Sequence, residues 1–220
     1  MRRLKLLPAV AFALLATLIP TNVFADKIDN NDILSEVITT QTIYDEDGNE
    51  YGIVCEKIYD TDENDFDIQL LSPESESVEH LRYTLYRSGG DSHVFLDPSD
   101  TGYIGRVDLT CTYKSREVDG FADGEKLLTK VSWSWSVVDT SFSVSSAEVF
   151  YCCKQEYKKT IDVTRKNNSS QLTNFSVYGS SNTDSIGSWI CVKWKQGSRV
   201  VESELVCNIG GTLSVGGRYG

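Results

Sequence analysis

The sequence predicts an all-β fold, an antiparallel β-sandwich of immunoglobulin-like build, and three observations carry that prediction. Val107, Leu109, Cys111 and Tyr113 alternate with Arg106, Asp108, Thr110, Thr112 and Lys114, a period of two with one apolar face. Val131, Trp133, Trp135 and Val137 alternate with Ser132, Ser134 and Ser136 in the same way. Beyond about Arg82, segments of this kind recur between turn residues, and long helical periodicity is missing.

In chain order, the first element is an export signal. Met1 to Ala25 has a basic start at Arg2, Arg3 and Lys5, an apolar run from Leu6 to Ile19, a breaker at Pro20 and a Val-Phe-Ala cleavage site. Cleavage there makes Asp26 the first mature residue and the protein secreted and extracellular, with no membrane attachment after processing. Three segments follow from this reading: a signal peptide over 1–25, an acidic leader over 26–80 and a β-sandwich domain over 81–220.

Charge separates the last two. Residues 26–80 hold seventeen Asp and Glu against Lys27 and Lys57, whereas residues 81–220 are nearly neutral, within a chain of formal net charge −11. A segment so rich in like charge has little apolar surface to offset ordering entropy, so the leader is expected to be a partly disordered appendage. Within it, Ile33, Leu34, Val37 and Ile38 fit one side of a short helix. Thr42 to Tyr44 and Tyr51 to Cys55 flank Asp47-Gly48 as a hairpin, because Gly tolerates the positive φ of such a turn. The polar stretch Ser72 to Ser77 reads as a linker.

In the β region, the strand around 106–114 and the strand around 131–137 pair antiparallel across a loop with Asp119-Gly120 and Asp123-Gly124. Further strands are expected at Phe142 to Cys153, Thr160 to Arg165, Leu172 to Tyr178, Trp189 to Lys195 and Val200 to Ile209. Alternation slips near Ser145-Ser146-Ala147, which requires a bulge or bend.

The acidic leader with its Asp-Gly hairpin, the Trp-bearing serine-rich strand and the closing segment Leu205 to Ser214 together resemble small exported β-rich proteins of gut Gram-positive bacteria. The resemblance implies export and a β fold. It implies no activity and no catalytic residue.

Six cysteines in an exported chain predict disulfides. Ala147, Val149, Tyr151 and Cys153 share one side of their strand, and Val201, Leu205, Cys207 and Ile209 share one side of the last, so Cys153 is expected to bond Cys207. Cys152 then points the other way, towards a partner such as Cys191, which leaves Cys55 and Cys111. C-x-x-C spacing is missing and the sequence has two histidines, so no zinc site is expected, and no other metal or cofactor.

Candidate chemistry is sparse. Asp60, Asp62 and Asn64 begin like a calcium loop, but Asp65 stands where the turn needs Gly and Leu71 where a bidentate Glu belongs. Asp91-Ser92-His93 has the residue types of a hydrolase triad, yet three consecutive residues do not supply its geometry. Glu148, Glu202 and Glu204 lie on strands where paired carboxylates could hydrolyse sugars, and nothing singles out two of them. Trp133 and Trp135 share a strand face that serves either as core or as a flat platform for sugar rings, and Trp189, with Lys193 and Lys195 nearby, suggests a contact surface. A basic stripe for nucleic acid is missing.

The reading is therefore a secreted, non-enzymatic protein acting by surface contact on an extracellular glycan or protein, with Trp133, Trp135 and Trp189 as contact residues. The alternatives are a small secreted hydrolase using paired carboxylates, and a peptide toxin or bacteriocin-like factor with a removable acidic leader.

Overall fold

The computed structural model describes residues 34–59, 75–87, 102–118, 121–154 and 158–211. The signal segment, the calcium-like series at 60–67 and the Asp91-Ser92-His93 triplet lie outside them. Eleven strands make two antiparallel sheets, and no helix occurs among the described residues. The larger sheet has the order β1 (Leu34–Tyr44), β2 (Glu50–Tyr59), β3 (Ser75–Arg87), β4 (Tyr103–Val118), β5 (Phe121–Val137) and β8 (Ser169–Leu172), with the short β9 (Gly179–Ser180) also on β5. The smaller sheet has the order β11 (Arg199–Gly210), β10 (Ile186–Gln196), β6 (Ser143–Cys153) and β7 (Lys158–Asp162).

Alternation builds both sheets. Val107, Leu109 and Cys111 of β4 turn inward with Tyr83 and Leu85 of β3, and meet Val149 and Tyr151 of β6, Val192 and Trp194 of β10, and Val201 and Leu205 of β11 in one core. Gly105 lets Trp194 reach the larger sheet: a Cβ there would stand 2.7 Å from the indole. The expected pairing of β4 with β5 holds, Val107 opposite Trp135 and Cys111 opposite Val131, but the strands run much further than the alternation marked. Gly124, with φ +62, falls inside β5 near a register shift rather than in the turn. The slip near Ser145 is a bulge: Lys193 pairs with Ser146, and its neighbour Trp194 with Val144.

The acidic segment departs from the expectation of an appendage. β2 and β3 lie inside the larger sheet, and Tyr51, Ile53, Cys55, Leu81 and Tyr83 are part of the common core, so no boundary falls at residue 80 among the described residues. Ser75 to Ser77 belong to β3 rather than to a linker. Leu34, Val37 and Ile38 lie on β1, paired with β2, instead of on a helix; Val37 and Ile38 stay exposed at this edge, and sheet pairing overrides the helical spacing. The hairpin after Tyr44 forms as expected, with Gly48 at φ +81 and the Asp45 carboxylate accepting from the backbone N–H groups of Asp47 and Asn49. The expected strand over 172–178 is displaced to β8, of which it shares only Leu172.

All six thiols are buried and unbonded. Cys153 and Cys207 lie on β6 and β11, which flank β10 and pair with its Ile186 and Ser188. Two strand spacings, about 10 Å, separate such positions, beyond the reach of a disulfide. Cys152 pairs with Gly187 and Cys191 with Glu148, four residues apart on the same ladder, about 13 Å. Sharing a face is not adjacency, and an intervening strand was not legible in the spacing.

Candidate functional site: a cationic groove on the larger sheet

The period that buries Val107 and Leu109 turns Arg106, Asp108 and Thr110 of β4 to the opposite face. Register brings the polar phase of the neighbouring strands beside them. Arg82 pairs with Asp108 and His80 with Thr110 on one side; on the other, Ser134 pairs with Asp108 and Ser132 with Thr110. β8 extends the same face, with Ser170 opposite Ser132 and Leu172 opposite Lys130. The result is a groove of about 720 Å³ lined by His80, Arg82, Arg106, Asp108, Thr110, Lys130, Ser132 and Ser134, and by Asn168, Ser169 and Ser170 at its β8 wall.

Asp108 is the electrostatic centre. Its Oδ1 accepts from Arg82 Nε at 2.7 Å and lies 3.2 Å from His80 Nε2. Its Oδ2 accepts from Ser134 Oγ at 3.4 Å and lies 3.7 Å from Arg106 Nε. Burial pushes this carboxyl up, but the His80 hydrogen bond and the Arg82 and Arg106 charges outweigh it and hold the group below its ordinary value. Arg82 is thereby fixed in place, whereas the Arg106 side chain is 42% exposed at the longer distance. Lys130 has no ion pair among the described residues. Three permanent cations thus face a single carboxylate, in a chain whose formal net charge is −11.

The β8 wall is positioned by Asn167. Its side-chain amide donates to the Trp135 carbonyl and accepts from the Trp135 N–H, both at 2.8 Å, so one side chain continues the ladder beyond the last β8 rung. Asn168 follows in the left-handed region at φ 50.

Two familiar hydrolytic geometries are not formed among the lining residues. Ser134 is bonded to Asp108 rather than to His80, so no imidazole stands between a hydroxyl and the acid as a triad requires. Asp108 is the one carboxylate among the lining residues, and paired-carboxylate hydrolysis requires a second. What the groove does offer is cations for acidic groups, with hydroxyls and an amide for neutral polar ones.

The three tryptophans do not form one surface. Trp133 is 4% exposed, its Nε1 donating to the Lys166 carbonyl at 2.7 Å; it borders the groove, but its indole belongs to the core. Trp135 is half-buried and packs against the same core. Trp189 lies on the outer face of the smaller sheet, stacked on Phe150 with ring centroids 3.7 Å apart. On that sheet Cys191, Glu202 and Glu204 each bring a ligand atom within 4.8 Å of the others. Lys193 Nζ, 3.1 Å from Glu202, already counters that carboxylate, so the group is weakly disposed to a cation.

The groove itself was missed in the sequence, although half its signal was legible. The polar phases of β4 and β5 were in view as the wet side of two alternating strands. His80 and Arg82 fall at the border of the acidic segment, and Asn168 and Ser169 at a break between strands, so no sequence pattern places them beside Asp108. No family model matches the chain, nor does any curated protein or solved structure.

Proposed function

We propose that this is a secreted, non-enzymatic protein of β-sandwich build that binds an acidic extracellular glycan along the groove of its larger sheet. One observation carries the reading: Arg82, Arg106 and Lys130 converge on a hydroxyl-lined groove where Asp108 is the one counter-charge among the lining residues. Carboxylate or sulfate groups of a polymer would pair with Arg106 and Lys130, while Asp108 holds Arg82 and His80 in place. The hydroxyls of Thr110, Ser132, Ser169 and Ser170 and the Asn168 amide match the hydroxyls of a sugar chain. The long-range field of a chain at −11 opposes approach of a polyanion, but the Debye length of about 8 Å at physiological salt confines that opposition and leaves the local cations dominant.

The test is calorimetric titration with oligogalacturonate and a sulfated glycan, against neutral dextran, with the sugar chain length measured afterwards. Binding of the acidic polymers alone, recovered at unchanged length, supports the proposal. Shortened chains would favour the hydrolase reading, and equal binding of dextran would remove the role given to the cations.

A further inference from the structure

We propose that Cys111 and Cys207 form a redox-closable pair, a site at which oxidation ties the two sheets together. Cys111 turns inward from β4 beside Val107 and Leu109, and Cys207 turns inward from β11 beside Leu205 and Ile209; both are fully buried. The Cys207 Sγ lies 3.9 Å from the carbonyl oxygen of Glu79. Glu79 is the register partner of Cys111 across the β3–β4 ladder, and antiparallel partners have Cα atoms about 4.5–5.5 Å apart. The Cys207 sulfur therefore sits over the rung that carries Cys111. The neighbouring Cys207 thiol, then burial, raises the Cys111 thiol above its ordinary range.

Three of the other four thiols are engaged elsewhere. Cys152 donates to the Ser185 carbonyl at 3.3 Å, Cys153 to the Val177 carbonyl at 3.3 Å and Cys191 to Glu202 Oε1 at 3.3 Å. Cys111 and Cys207 are the pair that spans the sheets, with one sulfur set over the rung that carries the other.

No S–S bond joins Cys111 and Cys207. Closing it takes an external disulfide as oxidant, either a small molecule such as oxidised glutathione or the active disulfide of a thiol oxidase. One cysteine, as thiolate, attacks that disulfide to give a mixed disulfide and one released thiol. The second thiolate then displaces the remaining external sulfur. Two electrons reduce the oxidant, and the two cysteine protons end, through solvent, on the two released thiolates, giving two thiols. Because both sulfurs are buried, exchange requires an open chain, so the bond forms during folding and is shielded afterwards.

The experiment refolds the full chain in a reduced and oxidised glutathione couple, alkylates free thiols in denaturant, digests without reduction and identifies linked peptides by mass spectrometry. The expected result is the Cys111 peptide joined to the Cys207 peptide, with Cys55, Cys152, Cys153 and Cys191 alkylated. The oxidised protein should melt roughly 10 °C above the reduced one, since the link closes a long loop. Both cysteines alkylated after oxidative refolding, or either linked to a different cysteine, would overturn the proposal. A Cys111→Ala, Cys207→Ala double variant should lose the oxidant-dependent shift, and a shift persisting in it would overturn the proposal equally.

Discussion

The hydroxyls of Tyr83 on β3 and Ser203 on β11 lie 2.5 Å apart in the core, joining the two sheets through a polar contact enclosed by apolar side chains. Trp194 completes it: its Nε1 donates to Ser203 Oγ at 2.8 Å, and Ser203 reaches the Val192 carbonyl at 3.3 Å. Burial raises the Tyr83 phenol above its ordinary value, so the group stays a neutral donor. Buried polar groups with partners in place fix one arrangement of the sheets, and removing one partner leaves the others short of bonds.

Ser203→Ala should therefore destabilise the protein by about 1–3 kcal/mol, since Trp194 and Tyr83 then keep only their weaker mutual contact at 3.3 Å. Urea unfolding followed by tryptophan fluorescence measures it. An unchanged midpoint would mean that the network contributes nothing net.

Gly105→Ala should lower stability by roughly 1–3 kcal/mol, the usual penalty for overpacking. Its new methyl would overlap the Ser136 carbonyl oxygen, a backbone atom, and stand 2.7 Å from the ring of the fully buried Trp194. Thermal unfolding reads the effect, with Gly48→Ala as a control: Gly48 has open space around it and only its φ of +81 to strain.

Asp108 makes stability depend on pH in a definite direction. Its folded pKa lies below the unfolded value of about 3.9, so the stabilisation is present above that value and is lost as pH falls through the lower, folded one. Asp108→Asn should lose roughly 1–3 kcal/mol at pH 7, where a charged hydrogen-bond acceptor is removed from Arg82 and His80. The gap between variant and parent should shrink below about pH 4, as the parent carboxyl protonates. Urea midpoints at pH 7 and pH 3 compare the two, and a gap that stays constant would contradict the assignment.

Period-two alternation made β4, β5, β6, β10 and β11 legible, because one face of each is dry. It failed where that contrast is blurred. β1 is an edge strand with Val37 and Ile38 exposed, so its pattern carries no core signal, and β3 reads as polar because Glu76, Glu79, His80 and Arg82 outnumber its inward Leu81, Tyr83 and Leu85. High charge argues against packing, yet Tyr51, Ile53 and Cys55 are buried within that same acidic stretch. The groove depends on which strands are neighbours. Arg82 meets Asp108 through a register that no local pattern encodes, and Cys207 sits over the rung of Cys111 across a gap between sheets.

Binding of an acidic glycan by the groove is tested most directly by titrating oligogalacturonate into the parent and into an Arg106→Ala, Lys130→Ala double variant. Arg106 is half-exposed and Lys130 has no ion pair among the described residues, so the variant should melt within a few degrees of the parent. Each charged hydrogen bond lost to a carboxylate is worth about 1.5–3 kcal/mol, so the double variant should bind at least roughly a hundredfold more weakly. A folded variant that binds the acidic oligomer as tightly as the parent, or a parent that binds none, would contradict the account.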